Sequence, residues 1–121
     1  MTAELIRDTL RDQADIAFHY EPDASQTLAR CRELQPTVVL VDLKMPGIGG
    51  MEVLQQVRTC AATRLLPLIL LSSEDAPEIK AEAFARGAHD YLVKWPAKRE
   101  LVARLRYHSA AYWAHRERDE A

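Results

Sequence analysis

A chain of 121 residues holds one domain, or one domain with a short appendage, because domains run at roughly 100 to 200 residues. With 48% apolar and 28% charged residues it has the balance of a globular protein, which excludes a disordered or fibrous chain. Sixteen Lys and Arg against eighteen Asp and Glu leave a formal net charge of −2, so no overall positive field exists to hold a phosphate backbone, and no direct nucleic-acid contact is expected.

Residues 2–11 place Leu5, Ile6 and Leu10 at helical spacing among charges, an amphipathic helix with one buried face. Residues 15–20 set Ile16, Phe18 and Tyr20 on one side, the alternation of a short half-buried strand. After the Glu21-Pro22 turn, Asp23 and Gln26 form a capping box for a helix through Leu34 that Pro36 ends. Residues 37–41 are a β-branched apolar run without alternation, a parallel strand buried on both faces, and it stops at Asp42. The following loop holds Gly47, Gly49 and Gly50; no G-x-x-x-x-G-K-[ST] is present, so turn formation accounts for them. Met51, Val53, Leu54 and Val57 then mark a helix to about Thr59.

A second apolar run covers residues 65–71, with Pro67 tolerable near its start, and ends at Ser72-Ser73. A polar loop at 74–77 leads to a helix at 78–86, stopped by Gly87, and to a short strand at 91–93 followed directly by Lys94. From Pro96 a last helix carries Leu101, Val102, Leu105, Tyr112 and Trp113 to about Glu117, roughly 30 Å long, so that its end is expected to project from the body. Its arginines, Arg99, Arg104, Arg106, Arg116 and Arg118, read as a solvated face, whereas Tyr112 and Trp113 read as a partner or dimer interface.

Strands alternating with helices imply an α/β fold, a three-layer open sandwich with a parallel sheet and right-handed crossovers. Reactive groups in such sheets gather at the carboxyl ends of the strands, and three strands here end in Asp42, Ser72 and Lys94. A carboxylate with a pKa near ~4 is ionised at neutral pH and can attack phosphorus to give an acyl phosphate. A hydroxyl and an ammonium beside it can neutralise the charge on the transferring group.

Val-Val-Leu-Val-Asp42-Leu-Lys-Met-Pro-Gly, Leu-Leu-Ser72-Ser and Asp90-Tyr91-Leu-Val-Lys94, separated by 30 and 22 residues between the polar termini, make the chain resemble the receiver domains of two-component response regulators. The resemblance implies a flavodoxin-like fold, with residues 1–106 as the receiver and 107–121 as a helical extension or connector. It implies that Asp42 is the phosphoacceptor for a sensor histidine kinase, that Ser72 and Lys94 bind the phosphoryl group, and that Tyr91 is the switch aromatic coupling to the fourth helix and fifth strand of the family's fold. A magnesium ion would be held by Asp42 and the backbone carbonyl of Lys44.

Receivers begin with a central strand ending in an acidic pair that binds magnesium; counting back from Asp42, that pair would fall just before Met1. The expectation is therefore an N-terminally truncated receiver with weak or absent magnesium binding. Direct closure of the flanking strands into a four-stranded sheet, or dimerisation, would cover the gap. Receivers also place proline directly after the lysine, often with a cis bond, whereas here Trp95 intervenes before Pro96, as in receivers fused to diguanylate cyclase output domains.

The resemblance makes the chain a signalling domain and not an enzyme, with a kinase and an output domain or protein as partners and a homodimer expected. The competing reading is a pseudo-receiver, an interaction or dimerisation module without phosphoryl chemistry. An aspartate-nucleophile phosphatase is excluded because Lys44 stands where it needs a second aspartate.

Cys31 and Cys60 show neither C-x-x-C nor Cys/His metal spacing, which points to a reducing compartment. With no leader-like N-terminus and no apolar run of about 18 residues, a cytoplasmic location without membrane contact is expected. His19, His89, His108 and His115 have no metal or triad spacing and are expected to be exposed or structural.

Overall fold

The computed structural model describes residues 2–44 and 47–120, so Met45 and Pro46 of the loop after Asp42 lie outside the described residues. In chain order the elements are α1 (Thr2–Leu10), a 3₁₀ turn (Ala24–Gln26), α2 (Thr27–Leu34), β1 (Val39–Asp42), α3 (Gly50–Thr59), β2 (Leu68–Ser72), α4 (Pro77–Ala85), β3 (Asp90–Val93) and α5 (Lys98–Glu120). The strands form a parallel sheet in the order β1-β2-β3, with Asp42 level with Leu71 and Ser72 level with Val93.

The apolar run of β2 is the reason the molecule has three layers. Successive strand side chains point to opposite faces. Leu68 and Leu70 pack with Cys31 of α2, Val53, Leu54 and Val57 of α3, and Ala83 of α4. Ile69 and Leu71 pack with Ile6 and Leu10 of α1 and Leu101 and Leu105 of α5. Every residue of β2 is buried, and burying each Leu or Ile contributes about 1.5–3 kcal/mol.

Residues 15–20 do not form the expected strand: Asp15 lies in a turn, 16–20 have no regular secondary structure, and no ladder partner is found among the described residues. Ile16 and Phe18 still pack on the α1/α5 layer, so the alternation reports burial, while the ladder hydrogen bonds that define a strand are missing. Closure into a four-stranded sheet does not occur either. Val39 and Leu43 donate their backbone N–H groups to Pro67 and Leu71, which turns the backbone groups of Leu40 and Asp42 to the side away from β2. No strand pairs with that edge among the described residues, and β1 is only partly buried where a strand covered on both faces was expected.

The helix read over 23–34 begins with the 3₁₀ turn, because the Asp23 carboxylate accepts from the N–H and hydroxyl of Ser25 instead of closing a box with Gln26. It ends on Gln35, whose φ of 51° places it in the left-handed region just before Pro36. The last helix runs to Glu120 over 23 residues, about 34 Å. Its far half does not simply project: Ser109 Oγ lies 2.9 Å from Thr37 Oγ1, and Tyr112 packs against the α2–α4 layer.

The arginines of α5 are more than a solvated face, and His108 takes a structural place beside them. Arg104 and His108 of α5 both bond the buried carboxylate of Asp90, at 2.9 and 3.0 Å, and Arg106 pairs with Asp15. Below them Arg58 donates to the carbonyls of Gly87 (2.8 Å) and Leu66 (2.6 Å) and to Nδ1 of His89 (2.6 Å). Burial, the Arg58 charge and His108 push His89 down from 6.5 to about 4. The unfolded chain therefore takes up this proton first, and stability falls with pH between about 6.5 and about 4. Asp90, buried but held below its ordinary 3.8 by His108 and Arg104, adds its own loss only at still lower pH. Thermal melts across pH 4 to 6.5 are expected to show a falling midpoint in the native chain and a shallower fall in His89→Gln.

Gly50, the first residue of α3, sits against the end of β1: a Cβ there would lie 2.8 Å from the Asp42 carbonyl oxygen and 2.8 Å from Leu43 Cα. Backbone cannot yield as a side chain can, so Gly50→Ala is expected to cost about 1–3 kcal/mol and to lower the denaturation midpoint.

Candidate functional site

The parallel register lines up the carboxyl ends of all three strands, and the three polar residues arrive together. Asp42 closes β1, Ser72 closes β2, and Lys94 follows β3 with its N–H donating to the Ser72 carbonyl at 2.8 Å. Lys94 Nζ donates to Asp42 Oδ2 at 2.7 Å, and the two side chains are 19% and 20% exposed. The other carboxylate oxygen accepts the Lys44 backbone N–H at 3.3 Å. The Lys94 ammonium also lies 5.0 Å from the centre of the Trp95 ring, a cation–π contact on the solvent side.

Ser72 is buried, and its Oγ accepts the Glu74 N–H at 3.0 Å. The hydroxyl proton is therefore not committed to that contact. Tyr91, one residue into β3, is 7% exposed, with its hydroxyl donating to the Glu74 carbonyl at 2.8 Å. Lys44 Nζ crosses to Glu74 Oε1 at 2.7 Å, and this hydrogen bond holds the lysine above its ordinary pKa of 10.5. The peptide bond between Lys94 and Trp95 is cis, so the bond found before proline in receivers recurs here one residue earlier than Pro96.

The groups at this edge are those that polarise a phosphoryl group: an oxygen nucleophile, an ammonium in contact with it and, at the end of the neighbouring strand, a buried hydroxyl. Among the described residues no group of three or more His, Cys, Asp or Glu could hold a metal ion. Asp42 supplies one carboxylate, already bonded by Lys94 and Lys44, whereas magnesium takes about six oxygens in octahedral geometry. Asp42 and the Lys44 carbonyl would offer magnesium one carboxylate and one carbonyl, leaving water to fill most of its roughly six positions.

Residues 1–106 match the family described as the response regulator receiver domain. The chain belongs to that family. It is 32% identical over 104 residues to the probable transcriptional regulatory protein TcrX of Mycobacterium tuberculosis, covering 80% of this chain and 44% of that one. It is 32% identical to the transcriptional regulatory protein ResD of Bacillus subtilis, covering 84% and 42%. The chain thus spans about half the length of these curated relatives. Among solved structures, a putative response regulator from Chloroflexus aurantiacus aligns with a TM-score of 0.81 at 29% identity, covering 89% of this chain and 88% of that one. The chemotaxis protein CheY4 of Vibrio cholerae aligns with a TM-score of 0.79 at 28% identity, covering 88% of each.

Of the four residues singled out in the sequence, Asp42 and Lys94 are in contact, while Ser72 and Tyr91 meet through Glu74, whose N–H and carbonyl bond one each. Tyr112 and Trp113 lie far from them on α5, the first partly buried against the core and the second 53% exposed. Glu74 was not anticipated. It read as part of a polar loop, and nothing in its local pattern reports that Lys44, thirty residues earlier, meets it.

Removing Lys94 alone leaves a mostly buried carboxylate without its cation, whereas removing both charges leaves none. Lys94→Met is expected to destabilise the chain by about 1–3 kcal/mol, and Asp42→Asn with Lys94→Met by clearly less, as read from denaturant midpoints.

Proposed function

We propose that Asp42 accepts a phosphoryl group from a phosphohistidine of a sensor histidine kinase. A carboxylate oxygen forms the new O–P bond as the N–P bond breaks, and the imidazole leaves with its electron pair. The Ser72 hydroxyl donates to a phosphoryl oxygen, and Lys94 transfers its ammonium from the free carboxylate to the phosphoryl group, offsetting charge where it develops. The observation that carries this reading is the 2.7 Å contact of Lys94 with Asp42 at the sheet edge where Ser72 also ends.

The new charge would reach the outside through Tyr91 and the surface of α4 and β3, as a shift between two arrangements of that surface. Relatives nearly twice as long support an output domain or protein as the recipient, with residues 107–121 as the connector and Trp113 on α5 as part of a homodimer contact. A second reading, an interaction module without phosphoryl chemistry, is favoured by one feature: the described residues lack a magnesium donor set.

Incubation with acetyl phosphate over a range of magnesium concentrations, followed by intact mass, separates the two. The expected result is a gain of one phosphoryl group that is absent in Asp42→Asn and slower to appear in Lys94→Met. No gain at any magnesium concentration assigns the chain to the second reading.

A further inference from the structure

Three bonds meet at Glu74, and they belong to three different parts of the site. Its N–H donates to Ser72 Oγ at 3.0 Å, its carbonyl accepts the Tyr91 hydroxyl at 2.8 Å, and its carboxylate accepts Lys44 Nζ at 2.7 Å. The first is local to the loop after β2, and the second holds the tyrosine ring in. The third is the sole member of the set that reaches the loop after β1, and Lys44 is itself anchored by its backbone to Asp42. Both carboxylate oxygens of Asp42 are engaged by protein donors, and Tyr91 is nonetheless buried.

We infer that the Lys44–Glu74 ion pair is a positioning device for the switch tyrosine: it ties the two loops together so that the Glu74 carbonyl stays over the Tyr91 hydroxyl and keeps the ring buried. Its meaning for signalling rests on the phosphoacceptor reading; its mechanical effect on Tyr91 does not. The Lys44 and Glu74 side chains are 70% and 38% exposed, so the tie lies in high dielectric. An exposed pair of this kind changes a two-state ratio by about two- to fivefold, enough to bias the tyrosine and too little to lock it. Glu74 and Lys44 are positioning residues here, since they act on the switch through the loop.

The test uses the whole chain labelled with 3-fluorotyrosine, with the Tyr91 fluorine resonance assigned by Tyr91→Phe and its exposure read from the shift between H₂O and D₂O. Lys44→Glu and Glu74→Lys are each expected to raise the exposed-to-buried ratio of Tyr91 about two- to fivefold, and about 1 M salt to do the same to the native chain. The double variant, with the charges exchanged, is expected to return the ratio to the native value, which a loss of general stability would not do. Lys44→Gln, a milder change, moves it in the same direction should either reversal fold poorly. An unchanged ratio in the single variants, or an exchange no better than its parents, overturns the inference. Acetyl phosphate labelling of the same proteins keeps the two ideas apart: an unchanged ratio with normal labelling sinks the tie alone, and a shifted ratio without labelling sinks the phosphoacceptor reading alone.

Discussion

The burial of β2 on both faces is the constraint on which the rest depends. Four residues with no polar side chain before Ser72 have to be covered from two sides, and parallel neighbours with crossover helices are the arrangement that does this. Once β1 and β3 lie alongside in register, the carboxyl ends of three strands come level. The contact of a carboxylate with an ammonium 52 residues away is thus a consequence of packing leucines, and not of any local preference at Asp42 or Lys94.

The same constraint explains where the fold is weakest. Among the described residues β2 has a partner on each side while β1 and β3 have one each, and β1 is the less buried of these two edges, with Val41 its one buried residue. Residues 15–20 retain their apolar alternation and their packing through Ile16 and Phe18 without becoming a strand. Hydrophobic pattern and ladder pairing are separate requirements, and this chain meets the first there without the second. The far half of α5 adds cover at the opposite end, where Ser109 meets Thr37 and Tyr112 crosses to the other layer.

What could be read in the sequence follows from that physics. The apolar runs, their polar ends and the intervals between them carry the positions of β1, β2 and β3, because each depends on composition within a few residues. Asp42, Ser72, Lys94 and Tyr91 inherit their places from those strands. Glu74, Arg58 and the Asp90–Arg104–His108 cluster were not legible, since each depends on which side chains meet across 14 to 31 residues of intervening chain, and charge alone does not choose among several acidic and basic partners. The extra residue before Pro96 was legible as a departure, but the cis bond after Lys94 belongs to the backbone and has no compositional sign.

The polar groups divide by depth, and the division has a mechanical sense. At the amino ends of β2 and β3, Arg58, Asp90 and His108 are buried or half-buried and bonded to one another or to carbonyls, with the more exposed His89 closing the set, so that moving any of the first three leaves a largely desolvated group without its partner. At the carboxyl ends Asp42 and Lys94 are mostly buried while Lys44 and Glu74 reach into water. The first set resists change because Asp90, His108 and much of Arg58 have little solvent to replace a lost bond; the second can exchange partners at small cost because water is at hand. On the phosphoacceptor reading, a sheet fixed at one end and adjustable at the other would let a new charge at Asp42 move Ser72, Glu74 and Tyr91 without loosening the core that holds them together.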